Sequence, residues 1–358
     1  MRVGPGSAKR GDLVQRFDVA IIGAGVAGAC LARELARYQL DVVVLEAGID
    51  VANGATRANS GIVHAGFDPH PGTRKARYNV AGSALFPQWA SELGFPYVNN
   101  GSLVLAFSQD ELEALEGLRE RGHRNGVRGL RLIDAQELRE LESNVSPEAV
   151  GALCAPTGAI CDPYQLCWRA AENAADNGVK FWFAARVVEV RPAGQDGGQL
   201  TPELAGQDAS PGYCIHLATA AADARFCGGQ RELRATCVVN CAGTHAGEIH
   251  NMVSGVQLEI TPRRGEYCLM DTDVGGLFGH TMFQAPTAMG KGVLITPTVH
   301  GNLLVGPNAC PQQDPDDAST TAQGLAESVA KARRTFPGPA DHQLCGSAGW
   351  VTVSGSSP

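Results

Sequence analysis

Three glycines and one glutamate near the start of the chain have the types and the spacing of a nucleotide-binding turn. Gly23, Gly25 and Gly28 form a G-x-G-x-x-G pattern. Glycines at such positions allow a tight turn, a close approach of the backbone to a pyrophosphate and close packing of a helix on a strand. Downstream, the carboxylate of Glu46 can accept hydrogen bonds from both hydroxyls of an adenosine ribose but would repel a 2′-phosphate. The residues therefore predict a site for FAD or NAD and disfavour NADP.

The elements that position these residues are predicted to be a strand, a helix and a second strand. Residues 19–22 are a short apolar run, residues 29–38 carry leucines and alanines at helical spacing, and residues 41–45 are a second apolar run. A helix that starts at the glycine turn directs its N–H groups and the positive end of its dipole towards phosphates. A tight strand-to-helix turn without a ligand is the alternative. Because the pattern occurs once, we expect a single dinucleotide that acts directly on a small substrate.

The order of the predicted elements indicates an α/β protein with interleaved domains. Signals of α/β structure appear near residues 17–95 and 155–245, and β-rich or mixed segments appear at 97–150 and 257–310. We predict a Rossmann-like FAD/NAD(P)-binding domain with an interleaved β-rich (α+β) substrate domain. The predicted bounds are 17–95 with 155–250 for the nucleotide-binding domain, 96–154 with 251–336 for the substrate domain, 1–16 for a mobile tail and 337–358 for a divergent C-terminal tail.

Composition narrows the class of protein. The 358 residues are 44% hydrophobic and 18% charged, with a net charge of −8, so the chain has no basic footprint for nucleic acid. No apolar run approaches the ~20 residues that a transmembrane helix needs. The first 15 residues lack the apolar stretch of a secretory signal, and the eleven scattered cysteines are expected to be reduced, so we expect a cytoplasmic protein. No metal site is predicted, since the chain has no C-x-x-C pair.

Two helix starts and one hairpin have local signals. Ser108 with Glu111 forms a capping box, and Asp162 followed by Pro163 is typical of an N-cap and a first helical residue. Residues 300–302 read His-Gly-Asn between two apolar runs, which predicts a hairpin turn.

Five longer motifs resemble those of one family of flavoproteins. They are residues 59–76, 100–107, 239–243, 260–267 and 292–307. Together they resemble the FAD-dependent D-amino-acid-oxidase-like (DAO) superfamily, in the branch of the anaerobic-type glycerol-3-phosphate dehydrogenases and the L-2-hydroxyglutarate oxidases. The resemblance covers residues 17–310 and is lost from about Pro337, so we expect the C-terminal part of the family pattern to be missing and FAD to bind weakly or not at all.

The resemblance implies which residues would hold the cofactor. Thr56, Asn59 and Ser60 would lie along the pyrophosphate and the flavin, and Val187 would meet the adenine through its backbone. Ala242 and Gly243 would close over the nucleotide, although these two residues are also typical of a simple turn at the end of a strand. The ADP half of FAD would be held by the residues of the opening pattern, Gly23, Gly25, Gly28 and Glu46.

The resemblance also suggests catalytic residues. His64 lies where the family loop passes the flavin ring, and an imidazole titrates near neutrality, which suits removal of a hydroxyl proton while hydride goes to flavin N5. A histidine that is merely hydrogen-bonded in a packed loop is the alternative. Arg264 is favoured over Arg263 as a bidentate clamp for a carboxylate or phosphate. His300 is expected to be exposed or structural, and Lys291 is a weaker anion-binding candidate.

The implied activity is oxidation of a small anionic hydroxy compound, either glycerol 3-phosphate or a 2-hydroxy acid such as L-2-hydroxyglutarate. The electrons would leave to a quinone, a partner protein or oxygen. An amine or amino-acid oxidase stays open, because the same architecture serves C–N oxidation. A truncated, non-catalytic remnant or protein-binding subunit is the alternative from another class.

Overall fold

A computed structural model describes residues 14–194, 212–218, 232–285 and 292–338, together with the backbone of residues 344–354. Most of the predicted tail at 1–16 lies outside these residues, as does Lys291. The chain forms two compact units. The first comprises Met1–Asn53 and Ala170–Ile260, and the second comprises Gly54–Arg169 and Thr261–Pro358.

The elements are numbered in chain order over the described residues. The strands are β1 Gln15–Ile22, β2 Val42–Leu45, β3 Ile62–Val63, β4 Tyr97–Val98, β5 Ser102–Ala106, β6 Arg131–Asp134, β7 Gly151–Ala155, β8 Ala159–Cys161, β9 Lys180–Trp182, β10 Arg186–Pro192, β11 Tyr213–Ala218, β12 Glu232–Asn240, β13 Thr261–Met270, β14 Thr281–Gln284, β15 Leu294–Pro297, β16 Leu303–Gly306, β17 Cys310–Pro311 and β18 Leu344–Ser354. The helices are α1 Val26–Leu35, α2 Arg74–Leu93, α3 Gln109–Asn125, α4 Ala135–Leu141, α5 Pro163–Asp176, α6 Ala246–Val253 and α7 Ala322–Ala332.

The first unit is built on a six-stranded sheet in the order β10-β11-β12-β1-β2-β9. The strands β12, β1, β2 and β9 are parallel neighbours, and β10 and β11 are antiparallel. Strand β2 is buried along its whole length, as the apolar run predicts for a central strand in a covered sheet. The β1–α1–β2 unit carries the glycine pattern at its first turn, so the predicted Rossmann-like fold is confirmed.

One part of this sheet is more open than its sequence suggests. The run from Cys237 to Cys241 predicts a buried strand, but Cys237 is exposed and Val238 and Val239 are only half-buried. The reason lies in the pairing. Among the described residues, β11 pairs with β12 only as far as Ala235, whereas β1 follows β12 to its end. The end of β12 therefore has a described neighbour on one side only.

The second unit is built on a larger sheet in the order β17-β13-β16-β15-β14-β5-β7-β6, with β18 also paired to β13. All neighbours are antiparallel except β14 and β5. The predicted hairpin joins β15 to β16, where Gly301 has φ +84°. A small sheet in the order β3-β8-β4 lies in the same unit. The β-rich character predicted for the substrate domain is confirmed.

The segment predicted to be a divergent tail contains a strand. Backbone pairing between β18 and β13 runs antiparallel from Ser354 with Thr261 to Leu344 with Met270. The unit boundary after Asn53 also differs from the predicted domain boundary after residue 95, because β3 pairs with β8 in the second unit. The predicted domain bounds themselves remain a prediction.

Helix caps follow the local signals. Ser108 Oγ accepts a hydrogen bond from the N–H of Glu111 at the start of α3, and Asp162 Oδ1 accepts one from the N–H of Gln165 at the start of α5. Within the described ranges, none of the helices is both long enough and apolar enough to cross a membrane.

Candidate cofactor-binding and catalytic residues

The glycine turn between β1 and α1 is held by close contacts between backbone atoms. Gly23 has φ +103°, and a Cβ atom there would lie 2.5 Å from the carbonyl oxygen of Cys241. A Cβ atom at Gly28 would lie 2.0 Å from the carbonyl oxygen of Gly23. Gly25 is the N-cap residue of α1, and no side-chain hydrogen bond caps this helix. The turn therefore presents backbone rather than side chains at the start of α1, as phosphate binding requires.

Glu46 is tied to the same turn. Its Oε2 accepts a hydrogen bond of 2.7 Å from the N–H of Ala24, and its Oε1 accepts one of 2.7 Å from the N–H of Gly48. A carboxylate has about four lone-pair sites, so each oxygen keeps capacity for a second donor. The carboxylate is half-buried, and its contact with a ribose remains a prediction.

The turn after β12 lies against the glycine turn. The N–H of Cys241 donates to the carbonyl oxygen of Ile22 (2.8 Å), and the N–H of Ala242 donates to Asn240 Oδ1 (3.2 Å). Gly243 follows with φ +58°, in the left-handed region that favours glycine. The structure therefore brings the predicted Ala242–Gly243 pair and the glycine turn together at the carboxyl ends of adjacent parallel strands.

Val187 lies at an irregularity in the sheet. The register of β10 against β11 shifts between Val187 and Glu189, so Val188 is an additional residue in β10. The Val187 side chain is buried, whereas that of Val188 is 49% exposed. A bulge leaves backbone groups outside the ladder, and such groups are what a backbone contact to an adenine would use.

In the second unit, residues 54–70 form a segment that we call the His64 loop. The side-chain amide of Asn59 makes three hydrogen bonds to the backbone of this loop. Its Nδ2 donates to the carbonyl oxygens of Ala55 (3.1 Å) and Thr56 (2.9 Å), and its Oδ1 accepts from the N–H of Gly61 (2.9 Å). The Thr56 side chain is buried. Asn59 therefore acts first on the conformation of the loop, and its contact with a cofactor remains a prediction.

Ser60 connects the loop to the large sheet. Its hydroxyl is hydrogen-bonded to the phenol of Tyr267, whose side chain is 1% exposed. Burial raises the pKa of Tyr267 well above its usual value, and the bond to Ser60 offsets part of this rise. Tyr267 packs with Leu294 and Leu304, and Ile62 of the loop packs against the same cluster. The bond to Ser60 and this apolar packing both hold the loop on the sheet.

His64 is exposed, and both its backbone and its ring have partners. Its carbonyl oxygen accepts a hydrogen bond of 2.9 Å from Asn79 Nδ2 on α2. Its ring stacks on the ring of Phe283, with centroids 5.7 Å apart and an interplanar angle of 30°. An exposed imidazole with a fixed backbone and a fixed ring partner can exchange a proton with a bound molecule.

Side chains of helix α3 donate hydrogen bonds to the backbone of the rest of the His64 loop. Asn125 Nδ2 donates to the carbonyl oxygens of Gly66 (3.0 Å) and Pro69 (2.8 Å), and Arg121 Nη1 donates to that of Asp68 (2.9 Å). These contacts were not predicted from the sequence. Single polar residues on a helix carry no pattern that shows which distant carbonyl groups they reach.

Arg264 is engaged with carboxylates. Its Nε lies 3.0 Å from Glu266 Oε1, and its Nη1 lies 3.1 Å from Asp317 Oδ2 and from Ser319 Oγ. Glu266 is fully buried. Hydrogen bonds from Ser319, first through its hydroxyl and then through its N–H, are the main causes that lower the pKa of Asp317 to about 2. The period of two along β13 puts Arg264 and Glu266 on one face, a signal that could have revealed this pairing.

His300 pairs with a helix cap. Its Nε2 lies 2.9 Å from Asp162 Oδ2, and its side chain is 55% exposed. Burial alone would raise the pKa of Asp162, but hydrogen bonds from the Gln165 N–H, from His300 and from the Gln165 side chain together hold it below its usual value. The structure therefore assigns His300 a structural contact at the surface, one of the two predicted possibilities.

Two cysteines among the described residues are unreactive. Burial raises the pKa of both Cys30 and Cys161 to about 12, so these thiols stay protonated. Over the residues that the structure describes, no group of His, Cys, Asp or Glu side chains is arranged to hold a metal ion.

A model of the family described as "DAO: FAD dependent oxidoreductase" matches residues 18–358. The matched residues include the segment from 337 onwards in which the motifs were expected to be lost. The chain is 42% identical over 319 residues to a glycerol 3-phosphate dehydrogenase of Caloramator mitchellensis, an alignment that covers 89% of this chain and 61% of the relative. It is 28% identical over 301 residues to the mitochondrial L-2-hydroxyglutarate dehydrogenase of Nematostella vectensis, covering 82% of this chain and 62% of the relative.

Among solved structures, the chain is similar to the L-alpha-glycerophosphate oxidase of Mycoplasma pneumoniae with FAD bound. The TM-score is 0.83 and the identity 25%, and the superposition covers 96% of this chain and 84% of the other. The chain thus spans somewhat less than two thirds of the length of the first two relatives and most of the length of this oxidase.

Proposed function

Because the chain belongs to the DAO family of FAD-dependent oxidoreductases, we propose that it oxidises a small anionic hydroxy compound, with glycerol 3-phosphate as the first candidate. The family assignment confirms the resemblance found in the sequence, and it favours FAD over NAD as the cofactor. Glycerol 3-phosphate is favoured because the relative at 42% identity is a glycerol 3-phosphate dehydrogenase. L-2-hydroxyglutarate is the second candidate, through the relative at 28% identity.

The residues of the first unit fit the adenosine and pyrophosphate part of FAD. The backbone contacts at Gly23 and Gly28 leave no space for a Cβ atom, so the turn keeps the open backbone that a pyrophosphate needs. Glu46 has acceptor capacity left on both oxygens. We propose that these residues hold the ADP half together with Gly25, Ala242, Gly243 and the backbone of Val187.

The residues of the second unit supply the proton chemistry. FAD, when bound, accepts the hydride of the substrate. The substrate hydroxyl must lose its proton in the same oxidation, and we propose an imidazole nitrogen of His64 as the acceptor. The observation that carries the proposal is the state of His64: the imidazole is exposed, its carbonyl oxygen is held by Asn79 and its ring is stacked on Phe283. Thr56, Asn59 and Ser60 keep this loop in shape and remain candidates for contact with the cofactor.

Arg264 remains the proposed clamp for the anionic group, with a restriction. Its guanidinium is already bound to Glu266 and Asp317, so an incoming phosphate or carboxylate would share it with two carboxylates. Arg263, its exposed neighbour on β13, is therefore tested beside it. Substitution of the true clamp should raise KM for an anionic substrate more than it lowers kcat.

The test of the function begins with flavin content. The purified chain should release FAD in a stoichiometric amount, and glycerol 3-phosphate should bleach the flavin band without oxygen and reduce a dye with oxygen present. L-2-hydroxyglutarate and glycine are assayed in parallel. Oxidation of glycine alone would favour the amino-acid oxidase alternative, and bound FAD that none of the three compounds reduces would refute the proposal.

The role of His64 is tested by substitution. His64→Ala should lower kcat by about 10²- to 10⁴-fold, the usual contribution of a general base, with a small change in KM. His123→Ala, an exposed histidine near the end of α3, is the matched control and should retain activity. An unchanged kcat in His64→Ala would remove His64 from the mechanism.

The acceptor of the electrons and the location of the protein belong to the same proposal. A quinone, a partner protein or oxygen can each accept electrons from a reduced flavin, and the dye assay with and without oxygen separates oxygen from the other two. A cytoplasmic location is favoured by the nine described cysteines, all of which are free thiols.

A further inference from the structure

The partner of the His64 ring is itself a well-anchored residue. Phe283 lies on β14, whose backbone pairs in parallel with β5 so that Phe283 is opposite Val104. Its ring packs against two apolar clusters of the second unit, one under α3 and one around Tyr267. A ring that contacts two clusters has little freedom to turn, because close packing leaves few voids. Phe283 is therefore a rigid platform.

The backbone of His64 is anchored separately from its side chain. Its neighbour Val63 pairs with Ala159 in the small sheet, and Asn79 binds the carbonyl oxygen of His64 itself. With the backbone held, the remaining freedom of His64 is rotation of the side chain. The offset stack on Phe283, at a centroid distance within the usual range for aromatic pairs, restricts this rotation.

We infer that Phe283 is a positioning residue that orients the imidazole of His64 for proton transfer. This inference rests on the proposed function, in which the hydroxyl proton passes to an imidazole nitrogen while the carbon-bound hydrogen leaves with both electrons to FAD. The oxidation yields a carbonyl compound and an imidazolium. A phenyl face also attracts a cation, so Phe283 favours the protonated ring that the step produces as well as its orientation.

The stack explains why an exposed histidine can act as a base. An exposed side chain samples several rotamers in water, and each wrong rotamer removes the base from the reacting hydroxyl. Burial would fix the ring but would keep the substrate away. Contact with Phe283 restricts the ring while the side chain as a whole stays exposed.

The experiment compares three variants of the full chain. Phe283→Leu removes the ring and keeps an apolar side chain, Phe283→Tyr keeps the ring, and Phe107→Leu is the control. Phe107 is also half-buried and packs against the large sheet, and it lies at the end of β5. Phe283→Leu should lower kcat about tenfold with little change in KM, whereas Phe283→Tyr and Phe107→Leu should keep the wild-type kcat.

A second readout does not depend on turnover. In NMR spectra the carbon-bound protons of the His64 imidazole, assigned by their loss in His64→Ala, should be shielded by the ring current of Phe283. They should move downfield in Phe283→Leu and stay near their wild-type positions in Phe283→Tyr and Phe107→Leu. If Phe283→Leu does not fold, Phe283→Met, which is closer in volume to phenylalanine, takes its place.

The outcomes separate the two proposals. Wild-type kcat in Phe283→Leu, or unmoved His64 resonances, would overturn the positioning role while leaving the proposed oxidation intact. A wild-type chain that holds FAD but oxidises none of the three compounds would overturn the proposed function. The resonance shift would still decide in that case whether Phe283 orients His64.

Discussion

The glycine turn and the His64 loop are both candidate site segments, and they are held in place in opposite ways. In the glycine turn the close contacts are between backbone atoms, and a Cβ atom at Gly23 or Gly28 would overlap a carbonyl oxygen. In the His64 loop the backbone is held by side chains from elsewhere in the second unit, among them Asn79, Asn125 and Tyr267. The glycine turn requires residues without a side chain. The His64 loop requires side chains from other parts of the chain.

The difference predicts different responses to substitution. In a turn made of backbone contacts no side chain can rotate away from an added methyl group, so the backbone itself must move. A loop held by several side-chain bonds loses one bond at a time, and the others remain. We therefore expect one large effect in the glycine turn and graded effects around the His64 loop.

The largest effect is expected for Gly28→Ala. Its Cβ atom would lie 2.0 Å from the carbonyl oxygen of Gly23, so α1 must separate from β1. The free energy of unfolding in urea should fall by about 3 kcal/mol or more, and the flavin content should fall with it. Gly117→Ala in α3 is the control, since nothing lies within 4 Å of its Cβ position. It should gain about 0.5–1 kcal/mol, and equal losses in the two variants would contradict the contrast.

An intermediate effect is expected for Asn125→Ala. The substitution removes two hydrogen bonds to the backbone of the His64 loop and leaves the carbonyl oxygens of Gly66 and Pro69 without this donor. The free energy of unfolding should fall by about 2 kcal/mol, and hydrogen exchange should accelerate at the amides of residues 64–70. Asn177→Ala, which loses one exposed bond within a helix end, should cost less. An unaltered exchange rate in the loop would show that the other bonds suffice.

The smallest effect is expected at Asp162, next to the strand β8 that pairs with the His64 loop. The pKa of Asp162 is lowered in the folded chain, so the charged form contributes stability above the unfolded pKa, and this contribution is lost as the pH falls through the folded pKa. Asp162→Asn should therefore lower the free energy of unfolding by about 1 kcal/mol or less at pH 7, because the pair with His300 is partly exposed.

The difference between Asp162→Asn and wild type should shrink as the pH falls below the ordinary pKa of aspartate, and it should vanish once the pH lies below the lowered pKa of Asp162 in the folded chain. Ser108→Ala is the control, since it removes a neutral cap from α3 and its cost should be the same over this pH range. A pH-independent cost in Asp162→Asn would assign the whole effect to capping rather than to charge.

Much of the first unit could be predicted because its signals are local. The order strand, glycine turn, helix, strand and acid occupies about thirty adjacent residues, and the contact that excludes a side chain at Gly28 lies within that stretch, although the one at Gly23 is with Cys241. In the second unit, the helix caps at Ser108 and Asp162 and the hairpin at Gly301 were also predicted from local signals. The family motifs extended this prediction to FAD, which the family match supports.

Less could be predicted where partners lie far apart in the chain. Among the described residues, β11 pairs with β12 only as far as Ala235, and no signal within β12 indicates that Cys237 beyond it is exposed. Arg264 pairs with Asp317, which is far away in the sequence, as well as with Glu266. An arginine at this position could bind a substrate or a carboxylate of its own chain, and the sequence did not distinguish the two. The strand at Leu344–Ser354 depends on β13 in the same way.

The amino-acid sequence by itself determined the nucleotide-binding turn, the family and the position of the candidate base. This was possible because the spacing of glycines and apolar residues within a short stretch determines which local structure the backbone can adopt. Only the tertiary structure decided that the ring of His64 lies on Phe283, that its backbone is held by Asn79 and that Ser60 is bound to Tyr267. These contacts join residues from separate parts of the chain, so no stretch of consecutive residues reveals them.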